Sequence, residues 1–195
     1  VRAVADFLAE HELVDTAAGA SFDALHRKLG ADKLVLACVA EVSRGKSELL
    51  NAIFFADTGR RVLPATPGRT TMCPVELQFH AGQPAELALL PIDTRLGDQP
   101  LSELRTRPEA WQRLSLNPRN PDGLAEALML VTQTRRVSTV TAATLGFWSD
   151  EHPQDNPPRL ADGSVEVPAW RHALINYPHP LLERGLVVID TPGLN

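Results

Sequence analysis

Apolar residues recur along this chain in two rhythms, and the change between them marks the elements. From Val1 to Leu29 they come at three- and four-residue intervals: Val4, Phe7, Leu8, Leu13, Val14, then Phe22, Leu25 and Leu29. That spacing predicts helix, split near Gly19-Ala20-Ser21 and stopped at Gly30. Leu34-Val35-Leu36-Ala37-Cys38-Val39 is a continuous apolar run of strand length and reads as a buried strand. An amphipathic helix over Ser47–Phe55 follows. Pro74–Phe79 then alternates apolar with polar, as a half-buried strand does, and Leu87–Leu90 reads as its hairpin partner across Ala81-Gly82-Gln83-Pro84. Between helix and hairpin, the prolines and glycine within Val62–Thr71 predict a surface loop.

The pattern weakens from Ile92 to Pro168. Leu101–Trp111 predicts a short helix, and Gly123–Val131 a better one started by Asp122. Val137–Leu145 is rich in β-branched residues and threonine and predicts a strand or extended packing segment. Asp150–Gly163, with three prolines among Asp, Asn and Gly, predicts an exposed, mobile loop rather than a metal-binding acidic cluster. Order resumes at Val165–Trp170. Asn176-Tyr177-Pro178-His179-Pro180 reads as a proline-braced turn, with packing or hydrogen bonding as the roles of His172 and His179. Leu186-Val187-Val188-Ile189 has the continuous apolar character of a central parallel strand.

Chemistry concentrates at the ends of the two apolar strands. Ala40-Glu41-Val42-Ser43-Arg44-Gly45-Lys46-Ser47 joins the first strand to its helix, the context in which a loop aims backbone N–H groups and a helix N-terminus at one spot. Such a cradle suits polyphosphate. Lys46 supplies a cation for the β- and γ-phosphates, and the Ser47 hydroxyl is a ligand for Mg²⁺. The second strand ends in Asp190-Thr191-Pro192-Gly193. A carboxylate there is costly to bury unless paired, and beside a phosphate loop the natural pairing is Mg²⁺. Gly193 allows the backbone N–H to approach a γ-phosphate. Thr70-Thr71 sits in the intervening loop, where nucleotide switches offer a hydroxyl to metal and phosphate. A lone GK[ST] or DxxG is common by chance; the three in this order are not.

Composition narrows the partners. With 19 Lys and Arg against 24 Asp and Glu, the net charge is −5, and no basic surface speaks for nucleic acid. Hydrophobic residues at 44% and charged residues at 22% are ordinary for a globular protein and exclude disorder throughout. The two cysteines, Cys38 and Cys73, form no CxxC spacing, which fits a reducing compartment. No apolar run reaches the roughly 18 residues of a membrane span, and the N-terminus lacks a secretory signal pattern.

Ala40–Ala52, Leu63-Pro64 followed by Gly68-Arg69-Thr70-Thr71-Met72-Cys73-Pro74, and Asp190-Thr191-Pro192-Gly193-Leu194-Asn195 resemble the GTPase domain of bacterial dynamin-like proteins. Ala40 stands where glycine is usual, and Val42 where eukaryotic dynamins carry a nearby glutamine. The resemblance implies an α/β P-loop GTPase fold with an incomplete central sheet. A helical segment over 1–30 would precede a partial GTPase domain over 31–195, elaborated at 92–168. It implies GTP as substrate, Mg²⁺ as cofactor, and self-association through GTPase domains. It also implies membrane remodelling on lipid, in the cytoplasm at the periphery of the inner membrane.

By the same resemblance, Ser43 and Thr71 with Lys46 and Gly193 are catalytic, and Ser47, Thr71 and Asp190 hold the metal. Glu41, Val42, Ser43, Arg44, Gly45, Lys46, Ser47, Glu48, Thr70, Thr71, Asp190 and Gly193 line the nucleotide. Guanine is normally chosen by an [NT]KxD segment beyond the DxxG strand. The chain starts without methionine and stops at Asn195, so it reads as the N-terminal part of something longer, and the 195-residue piece alone is expected to bind nucleotide weakly or not at all. Two other readings stay open: a P-loop ATPase or other GTPase of the same broad class, and a non-catalytic nucleotide-binding or interaction module.

Overall fold

Two strands that are neighbours in the sequence are held apart in space by a third from near the far end of the chain. The computed structural model describes residues 33–41, 44–64 and 73–192. The predicted N-terminal helix and most of the proline-rich loop lie outside them. The chain divides into two units, Val1–Leu34 and Val35–Asn195, and the elements below form the second, apart from the first residue of β1.

The main sheet has six strands: β1 (Leu34–Cys38), β2 (Val75–Gln78), β3 (Glu86–Pro91), β4 (Gln112–Ser115), β7 (Trp170–Asn176) and β8 (Leu186–Asp190). Their spatial order is β1-β8-β2-β7-β3-β4, so the two apolar strands are neighbours, as expected. β2 runs antiparallel to β8 and parallel to β7, while β3 is antiparallel to both β7 and β4. The helices are α1 (Lys46–Phe54), α2 (Leu101–Leu104), α3 (Pro121–Met129), α4 (Thr139–Thr144) and α5 (Pro180–Glu183). A separate ribbon pairs β5 (Thr134–Val137) with β6 (Val165–Pro168).

The hairpin predicted between β2 and β3 does not form, because β7 occupies the gap. Asn176, buried at the end of β7, accounts for the spacing. Its Oδ1 accepts from His80 N at 2.8 Å, and its Nδ2 donates to Pro84 O at 2.8 Å and Gln83 O at 3.2 Å. The β2–β3 connection therefore arches over the end of β7 instead of closing on itself. β2, expected at the edge, lies inside the sheet; β4 is the outer strand on that side.

At the other side, β1 is outermost among the described strands, and Leu34, Val35 and Leu36 are exposed. An apolar run signals a buried strand only where other layers cover both faces of the sheet. Here β8 supplies one neighbour, and the strand is not the buried one expected.

Alternation along the strands gives the sheet two different faces. Val75, Leu77, Leu87, Leu89, Ala173 and Ile175 point to one side, where Leu50 and Phe54 of α1 and Leu124 and Leu128 of α3 complete the main core. The opposite side carries Ala88, Leu90, Leu104 and Trp111. It also carries a buried ionic group. Glu76 accepts from Arg105 through both carboxylate oxygens, one contact measuring 3.1 Å, and lies 3.3 Å from His172 Nε2. Trp111 stands edge-on to the His172 ring and donates its indole N–H to Leu104 O at 2.8 Å. His172 thus has a hydrogen-bonding and packing role, as expected.

Several local expectations change for local reasons. Helix α3 starts at Pro121 and is capped by Asn120, whose Oδ1 accepts from Gly123 N at 3.1 Å; Asp122 instead pairs with Arg60 from within the first turn. Val137–Leu145 is mostly helix, since Ser138 caps α4 by accepting from Thr141 N at 3.1 Å, and the cap outweighs β-propensity. The helix predicted over Leu101–Trp111 is confined to α2 and a single turn at Pro108–Ala110. The 150–163 segment is largely exposed, and at its border Asn156 bonds both backbone groups of Ser149, at 2.7 and 2.8 Å. In place of the turn expected over Asn176–Pro180, β7 runs to Asn176 and α5 starts at Pro180, with only residues 177–179 between them, and His179 accepts from Leu181 N to cap α5.

Burial alone would push the Glu76 carboxyl up, but His172 and Arg105 overrule it and hold its pKa at about 2, below the usual 4.5. A depressed carboxylate stabilises the fold fully above its unfolded value, and this contribution drains away as pH falls from 4.5 to 2. Arg105 is a third exposed, so solvent screening discounts the effect to about 2 kcal/mol. Between those pH values, the wild type should lose about 2 kcal/mol more unfolding free energy than Glu76→Gln in denaturant titrations. Equal losses would show that the group does not act this way.

Candidate functional site

Three chain ends converge at one edge of the sheet: the exit of β1, the start of α1 and the exit of β8. The first is tied to the third by Thr191, whose hydroxyl donates to Cys38 O at 2.8 Å. The second is tied to the third by a shorter bond. Ser47 Oγ donates to Asp190 Oδ2 at 2.6 Å, and both residues are buried. Register places Asp190 opposite Val75 of β2, so the carboxylate is carried on a strand paired on both sides.

Helix α1 begins at Gly45, whose backbone is left-handed with φ 80° and ψ 17°. A side chain is strained at that φ even though a Cβ would meet nothing within 4 Å. Glycine here lets the chain turn from loop into helix within one residue. No side chain caps the helix at Gly45, and the first helical bond runs from Leu49 N to Gly45 O at 2.9 Å. First-turn amides therefore face the loop, where the positive end of the helix favours an anion.

Lys46 reaches back across the loop, donating from Nζ to Ala40 O at 3.1 Å and Glu41 O at 3.2 Å. Its ammonium thus lies at the exit of β1, held by two backbone carbonyls. Arg44 pairs with Glu41 at 2.6 Å in an exposed contact, and Glu48 in the first turn of α1 pairs with Arg61 at 2.9 Å. Exposed pairs of this kind contribute little to stability.

The far end of α1 is held by ring contacts. Phe54 meets His179 edge-on at 5.0 Å, and Phe55 lies 4.9 Å from Tyr177. In the middle of the helix, Asn51 contacts the backbone of Val62 and Leu63, a role that the sequence pattern did not reveal. The available signal was a polar residue four positions after Ser47, on the stripe of Ser47, Leu50, Asn51 and Phe54 that α1 buries.

Neither cysteine is placed for nucleophilic work. Burial first, and then the charge of Asp190, push the Cys38 thiol up against the opposing pull of Lys46. Burial pushes Cys73 up to about 12. Cys73 lies in the main core, and Cys38 packs against it partly buried.

Lys46, Ser47 and Asp190 are therefore brought together, with Glu41, Arg44, Gly45 and Glu48 around the same loop. Val42, Ser43, Thr70, Thr71 and Gly193 lie outside the described residues. The donor set that is described, a hydroxyl and a carboxylate in contact at a helix N-terminus, consists of hard oxygen ligands of the type Mg²⁺ takes.

Two solved structures of an oligomerised bacterial dynamin pair, described as providing a mechanism for the long-range sensing and tethering of membranes, are similar to the chain. Each is 22% identical, with TM-scores of 0.37 and 0.40 over 85% and 92% of this chain. The matches span 17% and 19% of those chains, so this chain corresponds to less than a fifth of their length. No curated protein matches it. The family model for the dynamin family matches residues 36–195, from within β1 to the last residue, and takes in the phosphate loop, the DTPG segment and all that joins them. The fold is that of an α/β P-loop GTPase, and the chain belongs to the dynamin family.

Proposed function

We propose that this chain carries the phosphate-binding half of a GTPase site that binds and hydrolyses GTP with Mg²⁺, coupled in the intact protein to self-association and remodelling of a lipid membrane. The observation that carries the reading is the 2.6 Å contact between Ser47 and Asp190, within a chain of the dynamin family. It joins the two motifs that the chemistry needs at one point. The choice of guanine over adenine is inherited from the family.

In this reading Lys46 exchanges its carbonyl partners for the β- and γ-phosphates, and the amides of the first turn of α1 bind their oxygens. Ser47 and Asp190 hold the metal, with Thr71 as the third protein ligand. When bound, Mg²⁺ offsets the negative charge that gathers on the phosphates. Ser43, Thr71 and the Gly193 N–H orient the attacking water, with Thr70 beside them. Glu41, Val42, Arg44, Gly45 and Glu48 complete the loop around the nucleotide. Positioning and charge stabilisation supply most of the rate, as in other phosphoryl transfers.

Self-association through GTPase domains and contact with lipid come from the family and from what the solved structures are described as doing. Among the described residues no helix is long and apolar enough to cross a membrane. A peripheral place at the cytoplasmic face of the inner membrane is part of the same proposal.

In the full-length protein, Lys46→Ala should lower Mg²⁺-dependent GTP turnover by about 10²-fold or more, as loss of one preorganised charge-stabilising donor does. Turnover unchanged in that variant sinks the proposal. Ser47→Ala should raise the Mg²⁺ concentration for half-maximal binding of a non-hydrolysable GTP analogue by about tenfold or more. Titration of a fluorescent form of the analogue at rising Mg²⁺ measures it, and an unmoved midpoint removes Ser47 from the metal.

A further inference from the structure

Helix α1 buries two polar side chains one turn apart on the same face, Ser47 and Asn51, and each is satisfied from a different part of the chain. Ser47 meets Asp190 of β8. Asn51 meets the segment that returns alongside the helix: its Oδ1 accepts from Val62 N at 3.0 Å and Leu63 N at 2.8 Å, and its Nδ2 donates to Leu63 O at 2.9 Å. Both ends of the carboxamide are engaged with that backbone, and Asn51 is only 6% exposed.

The turn that brings Val62 and Leu63 back is itself built. A single 3₁₀ turn at Ala56–Thr58 follows α1, and Gly59 reverses the chain with φ 68°. The Thr58 hydroxyl braces the reversal, lying 2.7 Å from Phe55 O and 2.9 Å from Arg60 O. Val62 and Leu63 then bury their side chains in the main core at 2% and 4% exposure. The backbone that Asn51 grips is therefore a fixed one.

This bears on Ser47 through the helix. Leu50 and Phe54 hold α1 to the sheet by apolar contact, which has no preferred direction and tolerates small slides and rotations of a nine-residue helix. Hydrogen bonds do not, because they weaken steeply with misalignment. A rise of about 1.5 Å per residue means that even a fraction of a residue of slippage would break the Ser47–Asp190 contact. Three directional bonds one turn away resist slides along and rotations about the axis of α1.

We propose that Asn51 is a positioning residue for the phosphate site: it holds α1 in the pose that presents Ser47 to Asp190 and to the metal they bind. The proposal rests on the reading of Ser47 and Asp190 as the Mg²⁺ site. An asparagine that only stabilised the fold would, when removed, lower the folded fraction without changing what the folded molecules bind.

The experiment compares full-length wild type, Asn51→Ala and Leu50→Ala, the last removing apolar burial from the same face. Two quantities are read: hydrogen exchange at the Val62 and Leu63 amides, and the Mg²⁺ concentration for half-maximal binding of a non-hydrolysable GTP analogue. Asn51→Ala should expose both amides to exchange and raise the Mg²⁺ midpoint about tenfold, the low end for loss of a group that orients a ligand. Leu50→Ala should leave the midpoint in place while lowering the melting temperature.

An unmoved midpoint in Asn51→Ala with both amides deprotected overturns the inference. So does an equal shift in Leu50→Ala, which would mark the effect as general loosening. Absence of Mg²⁺-dependent binding in the wild type overturns the reading beneath it, and the inference with it. Should Asn51→Ala not fold, Asn51→Thr keeps a polar group and much of the volume but cannot span both amides and the carbonyl. In that variant a raised midpoint supports the positioning role, and an unmoved midpoint with both amides deprotected overturns it.

Discussion

A buried carboxylate at the end of β8 is the constraint around which this unit is arranged. Taking Asp190 out of water costs several kcal/mol unless donors meet it, and within the described residues the Ser47 hydroxyl comes to it at 2.6 Å. That contact, with the Asn51 bonds one turn along, sets where α1 begins relative to the sheet. It therefore also sets where Lys46 and the first-turn amides lie. Gly45 makes the approach feasible, because its left-handed backbone starts the helix within one residue of the loop.

The sheet divides its two faces between different kinds of cohesion. On one, α1 and α3 cover an apolar surface from Val75 to Ile175, where packing is extensive and without direction. On the other, Glu76, Arg105 and His172 form a buried ionic group beside Trp111. Replacing such a group by apolar residues is often neutral or stabilising, so its effect is better understood as orientation than as net stability. Glu76 ties β2 to β7 through His172 and to the end of α2 through Arg105, one residue along from Val75, which pairs with Asp190 in the ladder to β8.

Asparagines recur where the chain must be held at a set distance from itself. Asn51 joins α1 to its returning segment, Asn120 caps α3, Asn156 closes the loop at Ser149, and Asn176 separates β2 from β3. Asn51, Asn156 and Asn176 use both the donor and the acceptor of a short side chain to satisfy backbone groups, and Asn120 uses its oxygen. The tryptophans follow a related rule. Trp111, Trp148 and Trp170 each donate the indole N–H to an oxygen, at 2.8, 3.0 and 2.7 Å, so each ring packs without stranding its one polar atom.

What the sequence alone determined was chemical and local. A strand, a GKS loop and a helix in that order, with DTPG closing a second apolar run, was enough to expect Lys46, Ser47 and Asp190 at one point, and the fold brings Ser47 and Asp190 into contact there. Ser47 and Asp190 are separated by 143 positions in the chain, yet each sits at the end of an element whose local pattern is plain. Tertiary structure decided what depends on partners distant in sequence. β7 enters between β2 and β3 and pairs with both, its Asn176 tying down the connection that arches over it, and no periodicity reports that. β1 is exposed although its composition is that of a buried strand, because burial belongs to the neighbours and not to the run. Asn51 reads as one polar residue on an apolar stripe until Val62 and Leu63 are seen beside it. Hydrophobic period encodes which face turns inward; which segment meets that face is settled only when the chain has folded back on itself.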